Sequence, residues 1–149
     1  MSITWQYIAG FFDGEGSIVH NGKGFRITIS QTNYLVLKTI LDFVGFGFIF
    51  KNQRRKPNWK ESWVYYIAKQ EEVYIFLKNI LPFIIVKKDL SVKIIPELKL
   101  FIKRQVKQKN NRKKIIKEAK LLRQQGLTYR EIGKKLKIDW GYVRRIILK

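Results

Sequence analysis

At 149 residues the chain can form one compact domain of ordinary size with a small appendage, but not two full domains. Lys and Arg total 31 against 11 Asp and Glu, a formal charge of +20 that repels itself unless a polyanion neutralises it, so nucleic acid is the expected partner. The absence of cysteine excludes disulfides and thiolate metal sites, and the lone His20 cannot build a histidine-rich zinc site, which leaves carboxylates with water as metal ligands, a set suited to Mg²⁺ or Mn²⁺.

Thr4 to Phe12 reads as a helix with Ser2 or Thr4 as N-cap. Ser17 to Asn21 alternates, Asn21-Gly-Lys-Gly24 supplies a turn, and Phe25 to Ser30 alternates strictly, which together predict a β-hairpin with one wet face. Asn33 can cap a helix over Tyr34 to Val44, stopped by Gly45-Phe-Gly47, and Phe48 to Gln53 predicts a third strand. After a basic loop, Arg54 to Lys60, the aromatic and β-branched run Ser62 to Lys69 predicts a fourth strand, and Glu71 to Ile80 returns to helical spacing until Pro82 breaks it. Another helix is expected from near Lys87, kinked or divided at Pro96. The order αββαββα places the chain in the α+β class, with an antiparallel sheet covered by helices on one face over residues 1–102.

The uncovered sheet face should carry Ser17, Val19, Asn21, Arg26, Thr28, Ser30, Ser62, Val64 and Tyr66, because alternate strand residues point the same way. Beside it lie Lys23, Lys51, Arg54, Arg55, Lys56 and Lys60, which could hold phosphates while Arg26, Thr28 and Ser30 reach base edges in a major groove. A saddle on double-stranded DNA is the expected result.

The most informative stretch is Ile8-Ala-Gly-Phe-Phe-Asp-Gly-Glu-Gly16, where an apolar helix meets two carboxylates set among three glycines. Glycines flanking carboxylates let backbone approach backbone or a bound ion, an arrangement suited to a metal-dependent active site. The segment resembles the nine-residue motif of LAGLIDADG homing endonucleases, and the αββαββ order over roughly residues 4–100 is similar to that family's layout. The resemblance implies that motif helices of two copies pack through small residues, with Ile8, Gly10, Phe11 and Asp13 at the seam. It also implies that Glu15 is the catalytic metal ligand, with the Gly14 carbonyl as a second. The family more often has Asp at the Glu15 position. Asp13 matches the family's first acid, for which hydrogen bonding at helix ends is favoured over metal binding. Lys87, following Leu-Pro-Phe-Ile-Ile-Val, matches a pocket lysine that could stabilise phosphate charge, and Gln31 matches a water-positioning polar residue. The family's further basic residue after that glutamine has no match between Thr32 and Val36, and Lys88 is the available substitute. A single motif implies a homodimer on a roughly palindromic site.

The C-terminal third is the most basic part, with 17 basic and 3 acidic residues over 101–149. Residues 103–114 predict a charged linker lying along phosphates. Over 115–149, three short helices are expected: Ile115 to Gln125 ended by Gly126, one opened by the capping box Thr128-Tyr-Arg-Glu131, and one from Trp140 capped by Asp139. Leu127, Ile132, Leu136, Ile138, Val143 and Ile146 would fill its core. The segment looks like the helix-turn-helix of DNA invertases and resolvases, with Gly133 at the close helix crossing and Lys137 where glycine is more common. That resemblance makes the last helix the reader, through Trp140, Gly141, Tyr142, Arg144 and Arg145.

These readings converge on a site-specific double-strand DNA endonuclease, intron-encoded, using Mg²⁺ or Mn²⁺. The alternatives on the same scaffold are an RNA maturase acting on intron RNA and a DNA-binding regulator without cleavage. No apolar run reaches the ~18 to 20 residues of a membrane span, and the charge accompanies period-two strands rather than one amphipathic helix, which disfavours a membrane-surface role. No signal peptide is legible, so the expected location is intracellular, in an archaeal cytoplasm or organelle matrix, and not secreted.

Overall fold

The computed structural model describes residues 3–20, 22, 24–53 and 58–148. Asn21, Lys23, Arg54, Arg55 and Lys56, expected beside or on the sheet face, lie outside the described residues. Two compact units emerge, Met1–Ile102 and Lys103–Lys149.

The first unit follows the order expected from the sequence. Helix α1 covers Trp5–Glu15 and is N-capped by Thr4, whose side chain accepts the Tyr7 N–H. Strands β1 (Gly16–His20) and β2 (Phe25–Gln31) form the hairpin, α2 (Tyr34–Val44) follows, then β3 (Phe48–Lys51), β4 (Trp63–Ile67) and α3 (Gln70–Ile80). Asn33 caps α2 by accepting the Leu35 N–H, and Gly45 ends it in the left-handed conformation, φ 81°, which a side chain would disfavour. The sheet is antiparallel throughout in the order β1-β2-β4-β3. Parity then assigns the faces: Phe25, Ile27, Ile29, Tyr65 and Ile67 are buried under α1, α2 and α3 with Ile8, Phe12, Leu37, Ile40, Phe76, Leu77 and Ile80. Burial of each such side chain contributes about 1.5–3 kcal/mol before entropy is counted.

Buried Gln70 ties the hairpin to the start of α3. Its Oε1 accepts the Phe25 N–H at 2.8 Å, and its Nε2 donates to the carbonyls of Phe25 and Ala68, both at 2.8 Å. The satisfied amide explains how a polar side chain tolerates burial there.

Helix α4 covers Lys88–Gln124 with Pro96 inside it, so the proline does not divide the helix, one of the two outcomes expected there. Proline removes a single ladder donor, and the buried Ser91, Ile94 and Leu98 flanking it hold both sides of the helix against the core. The residues expected as a linker, 103–114, are helical within α4, consistent with a run of Lys, Arg and Gln free of glycine and proline.

In the second unit, α5 (Tyr129–Leu136) and α6 (Trp140–Ile147) follow the end of α4. The expected capping box is present: Thr128 accepts the Glu131 N–H, and Glu131 accepts the Thr128 N–H at 2.7 Å. Those hydrogen bonds, from the Thr128 backbone first and its hydroxyl second, hold the Glu131 carboxyl below its ordinary range. Ala119, Leu122, Ile132, Val143 and Ile146 form a small core with Leu127, Leu136 and Ile138 packed on it, as the apolar pattern predicted.

Candidate active site and nucleic-acid interface

Helix α1 extends three residues beyond the predicted end, so that Asp13 and Glu15 lie on its last turn and Glu15 is its final residue. Gly16 then starts β1 directly. A Cβ on Gly16 would lie 2.1 Å from Cδ2 of Phe12, so only glycine lets the strand leave the helix at this angle. The acidic end is thereby held rigidly between a buried helix and a sheet.

The two carboxylates have separate surroundings. Asp13 accepts three backbone N–H groups of the segment entering α4: Ile85 at 2.5 Å, Val86 at 3.1 Å and Lys87 at 3.0 Å. Partial burial favours the neutral acid, but these three bonds and the Lys87 charge outweigh it and leave the Asp13 pKa below its ordinary value. The Lys87 ammonium donates to the Asp13 carbonyl and lies 5.7 Å from the centre of the Phe12 ring. Glu15 is exposed, two residues beyond Asp13 on the same turn. Gln31 ends β2, two residues past Ile29, which pairs with Gly16, so β2 brings it to the α1–β1 junction. Its Oε1 accepts the Thr32 N–H at 2.8 Å and its hydroxyl at 3.2 Å. Asp13 and Lys87, distant in sequence, are therefore in direct contact, and Glu15 is left free of that network.

Among the described residues no three His, Asp or Glu side chains cluster as a metal site. The Glu15 carboxylate and the Gly14 carbonyl are oxygen donors of the kind that suits a hard divalent cation.

On the outer side of α1, Tyr7, Gly10 and Gly14 are exposed, and a Cβ at Gly10 or Gly14 would meet nothing within 4 Å. Phe11, half-buried, stacks on Tyr7 at 6.0 Å. Ile8, expected at the same seam, is fully buried in the core of its own unit, because it lies on the helix stripe with Ala9 and Phe12. Beside Asp13, Ile85 and Val86 are 84% and 78% exposed, an apolar pair missed in the sequence reading although Phe83-Ile-Ile-Val86 is a conspicuous apolar run.

The uncovered sheet face carries Ser17, Val19, Arg26, Thr28, Ser30 and Tyr66, as alternation predicted. The Ser17 and Thr28 hydroxyls hydrogen-bond across strands at 2.7 Å. Phe48 and Phe50, in register with Tyr66 and Val64, share this face and were not anticipated there, although the alternation Phe48-Ile-Phe50 carries the signal. Lys51 belongs to the other parity: it pairs with Trp63, in the row of Gln31, and its ammonium binds Glu61 at 2.8 Å.

In the second unit, Gly133 allows the close crossing of α5 and the chain entering α6, since a Cβ there would lie 2.8 Å from the Ile138 carbonyl. Lys137 adopts the left-handed conformation, φ 54°, where glycine is more common. Arg144 and Arg145 are exposed, Trp140 is 50% exposed and Tyr142 is half-buried against the small core. Guanidinium groups lie over both rings, Arg130 at 5.8 Å from Trp140 and Arg145 at 5.9 Å from Tyr142. Gly141, half-buried, sits between them in α6. No helix among the described residues is long and apolar enough to cross a membrane.

Comparison with known proteins adds three structures of similar fold. The archaeal intron-encoded homing endonuclease I-Vdi141I, complexed with DNA, is 23% identical, with a TM-score of 0.53 over 96% of this chain and 93% of its own. The LAGLIDADG meganuclease I-CpaMI, bound to uncleaved DNA, is 18% identical with a TM-score of 0.54 over 70% of this chain and 38% of its own. The homing endonuclease I-CvuI, in complex with uncleaved DNA in the presence of Mg, is 18% identical with a TM-score of 0.50 over 64% of this chain and 65% of its own. None of the curated proteins matches in sequence. The profile of the LAGLIDADG-like domain matches residues 4–81, the stretch that runs from the α1 cap through the sheet to the end of α3, and the chain belongs to that family.

Proposed function

We propose that this protein is a site-specific double-strand DNA endonuclease of the homing type, acting as a homodimer with a divalent metal ion. The observation that carries the reading is the division of labour at the end of α1. Asp13 is consumed by backbone donors and its carbonyl by the Lys87 ammonium, while Glu15 stands exposed on the same turn. A pure binder has no need of a free acid there. Structures of similar fold are homing endonucleases in complex with DNA, which supports duplex DNA as the ligand of this scaffold.

Bound Mg²⁺ or Mn²⁺ would stabilise negative charge on the scissile phosphate and lower the pKa of an attacking water. Glu15 would hold the ion with the Gly14 carbonyl, and the Lys87 ammonium would offset charge developing on phosphate oxygens. Gln31 would orient water at the strand end. One chain supplies only one such acid, and the open stripe of Gly10 and Gly14 on α1 suits a second copy packing backbone against backbone, with Phe11 and the Asp13 turn at its border. Two half-sites then address the two strands of a roughly palindromic target.

The sheet face, through Arg26, Thr28, Ser30 and Tyr66, would lie in the major groove. The second unit would extend the contact as a helix-turn-helix, with Trp140, Tyr142, Arg144 and Arg145 on its last helix. Glu15→Gln keeps size and removes charge. It should abolish metal-dependent cleavage of a selected duplex target while the binding constant changes less than about two-fold, a shift below roughly 0.5 kcal/mol. Undiminished nicking by that variant would refute the assignment.

A further inference from the structure

The open face of the sheet is chemically divided. Register sets its rows: Ser17, Thr28, Tyr66 and Phe48 form one, and Ser30, Val64 and Phe50 another. The β1–β2 half carries hydroxyls and Arg26. The β4–β3 half carries three aromatic rings in mutual contact, with centroids 5.2 Å apart for Phe48 and Tyr66, 6.0 Å for Phe48 and Phe50, and 6.1 Å for Phe50 and Tyr66. Phe48 and Phe50 are 52% and 42% exposed. Val64, buried yet outside the helix-side core, floors the patch between Ser30 and Phe50.

An exposed aromatic patch on a chain this basic calls for an occupant. The occupant must also satisfy Arg26 and the hydroxyls of the same face, which an apolar protein surface would strand without hydrogen bonds. In the major groove, duplex DNA presents acceptors and donors together with one apolar group, the C5 methyl of thymine. Single-stranded bases fit less well: the rings lean on one another at tilts of 40°, 50° and 66°, which fills the space between them and leaves no parallel gap for a base to enter.

We propose that Phe48, Phe50 and Tyr66 form an apolar contact surface for thymine methyl groups, so that A·T pairs are preferred at the positions of each half-site read by β3 and β4. The proposal rests on the reading of this sheet face as a duplex-DNA surface. Hydrogen bonds from the β1–β2 half would specify other positions, and the aromatic half would add a preference that depends on the methyl group alone.

The test uses the full chain and two pools of random duplexes, one built with thymine and one with uracil, which pairs identically but lacks the methyl. Selection from the thymine pool should yield a consensus with a block of A·T pairs. The uracil pool should keep the remaining consensus and lose that block. In defined targets, each thymine-to-uracil change within the block should weaken binding about four-fold, the value of one buried methyl-sized group. Phe48→Ser with Phe50→Ser should erase the difference between pools, and the uracil comparison on the native protein stands whether or not that variant folds. Equal consensus strength from both pools would overturn the proposal and leave duplex binding intact. No consensus from either pool would overturn the duplex reading as well. Preferential binding of single strands that depends on Phe48 and Phe50 would reassign the rings to base stacking and likewise defeat it.

Discussion

Asp13 and Glu15 stand two residues apart in sequence, and the fold gives them different chemistry. Asp13 accepts the N–H groups of Ile85, Val86 and Lys87, so its ionised form is favoured by the folded state. Because its folded pKa is lowered, the stability it contributes is fully present well above its ordinary value of 3.8 and is lost as pH falls through the folded value. Asp13→Asn should therefore lower stability by about 1–2 kcal/mol at neutral pH, the scale of charge-assisted hydrogen bonds at a partly exposed site. Urea denaturation across acid pH should show the gap from wild type closing as Asp13 protonates. Ile8 offers a second residue-level test. It fills the core of its own unit, so Ile8→Ala should cost about 2–5 kcal/mol through cavity formation. A destabilisation that appeared only at concentrations where chains associate would place Ile8 at a seam instead.

At the scale of elements, α1 has two faces with different obligations. Its inner stripe, Ile8, Ala9 and Phe12, is committed to the sheet, while Gly10 and Gly14 face outward with nothing near a hypothetical Cβ. Glycine inside a helix costs about 1 kcal/mol relative to alanine, so two exposed glycines have a cost that a second helix can offset by close approach. Gly10→Leu should leave the thermal midpoint of the isolated fold unchanged or raised, yet shift the mass measured by light scattering toward monomer and remove double-strand cleavage. An unaltered dimer in that variant would exclude α1 as the seam. In the second unit, Gly133→Val forces a Cβ against the Ile138 carbonyl at 2.8 Å. That change should destabilise the α5–α6 crossing and weaken DNA binding, with slow cleavage at high protein concentration retained because Glu15 and Lys87 are untouched.

For the molecule as a whole, the +20 charge dominates any encounter with a polyanion. Binding to duplex DNA should weaken linearly in log–log plots against salt, with a slope near −0.9 for each phosphate neutralised, and titrations over a salt series measure it directly. Much of the architecture was legible in sequence, because strand alternation, the Asn33 and Thr128 caps and the Gly45 stop are local signals. The single acidic motif and its family resemblance were legible for the same reason. Tertiary packing decided the rest. Pro96 sits inside a helix because buried residues on both sides outweigh the lost hydrogen bond and the clash of its ring with the preceding turn, whereas the exposed residues 103–114 are helical by composition, free of glycine and proline. Ile8 turned inward, Lys51 fell on the other parity, and Phe48 and Phe50 gathered beside Tyr66 only once four strands were in register. Asp13 meets the segment just before α4 across more than seventy residues, a pairing no local pattern carries. What the sequence by itself determined was chemistry and local conformation, set by residue type and short-range periodicity, and the family resemblance already assigned hydrogen bonding to Asp13; which backbone groups Asp13 binds was decided by long-range contacts that exist only in the folded chain.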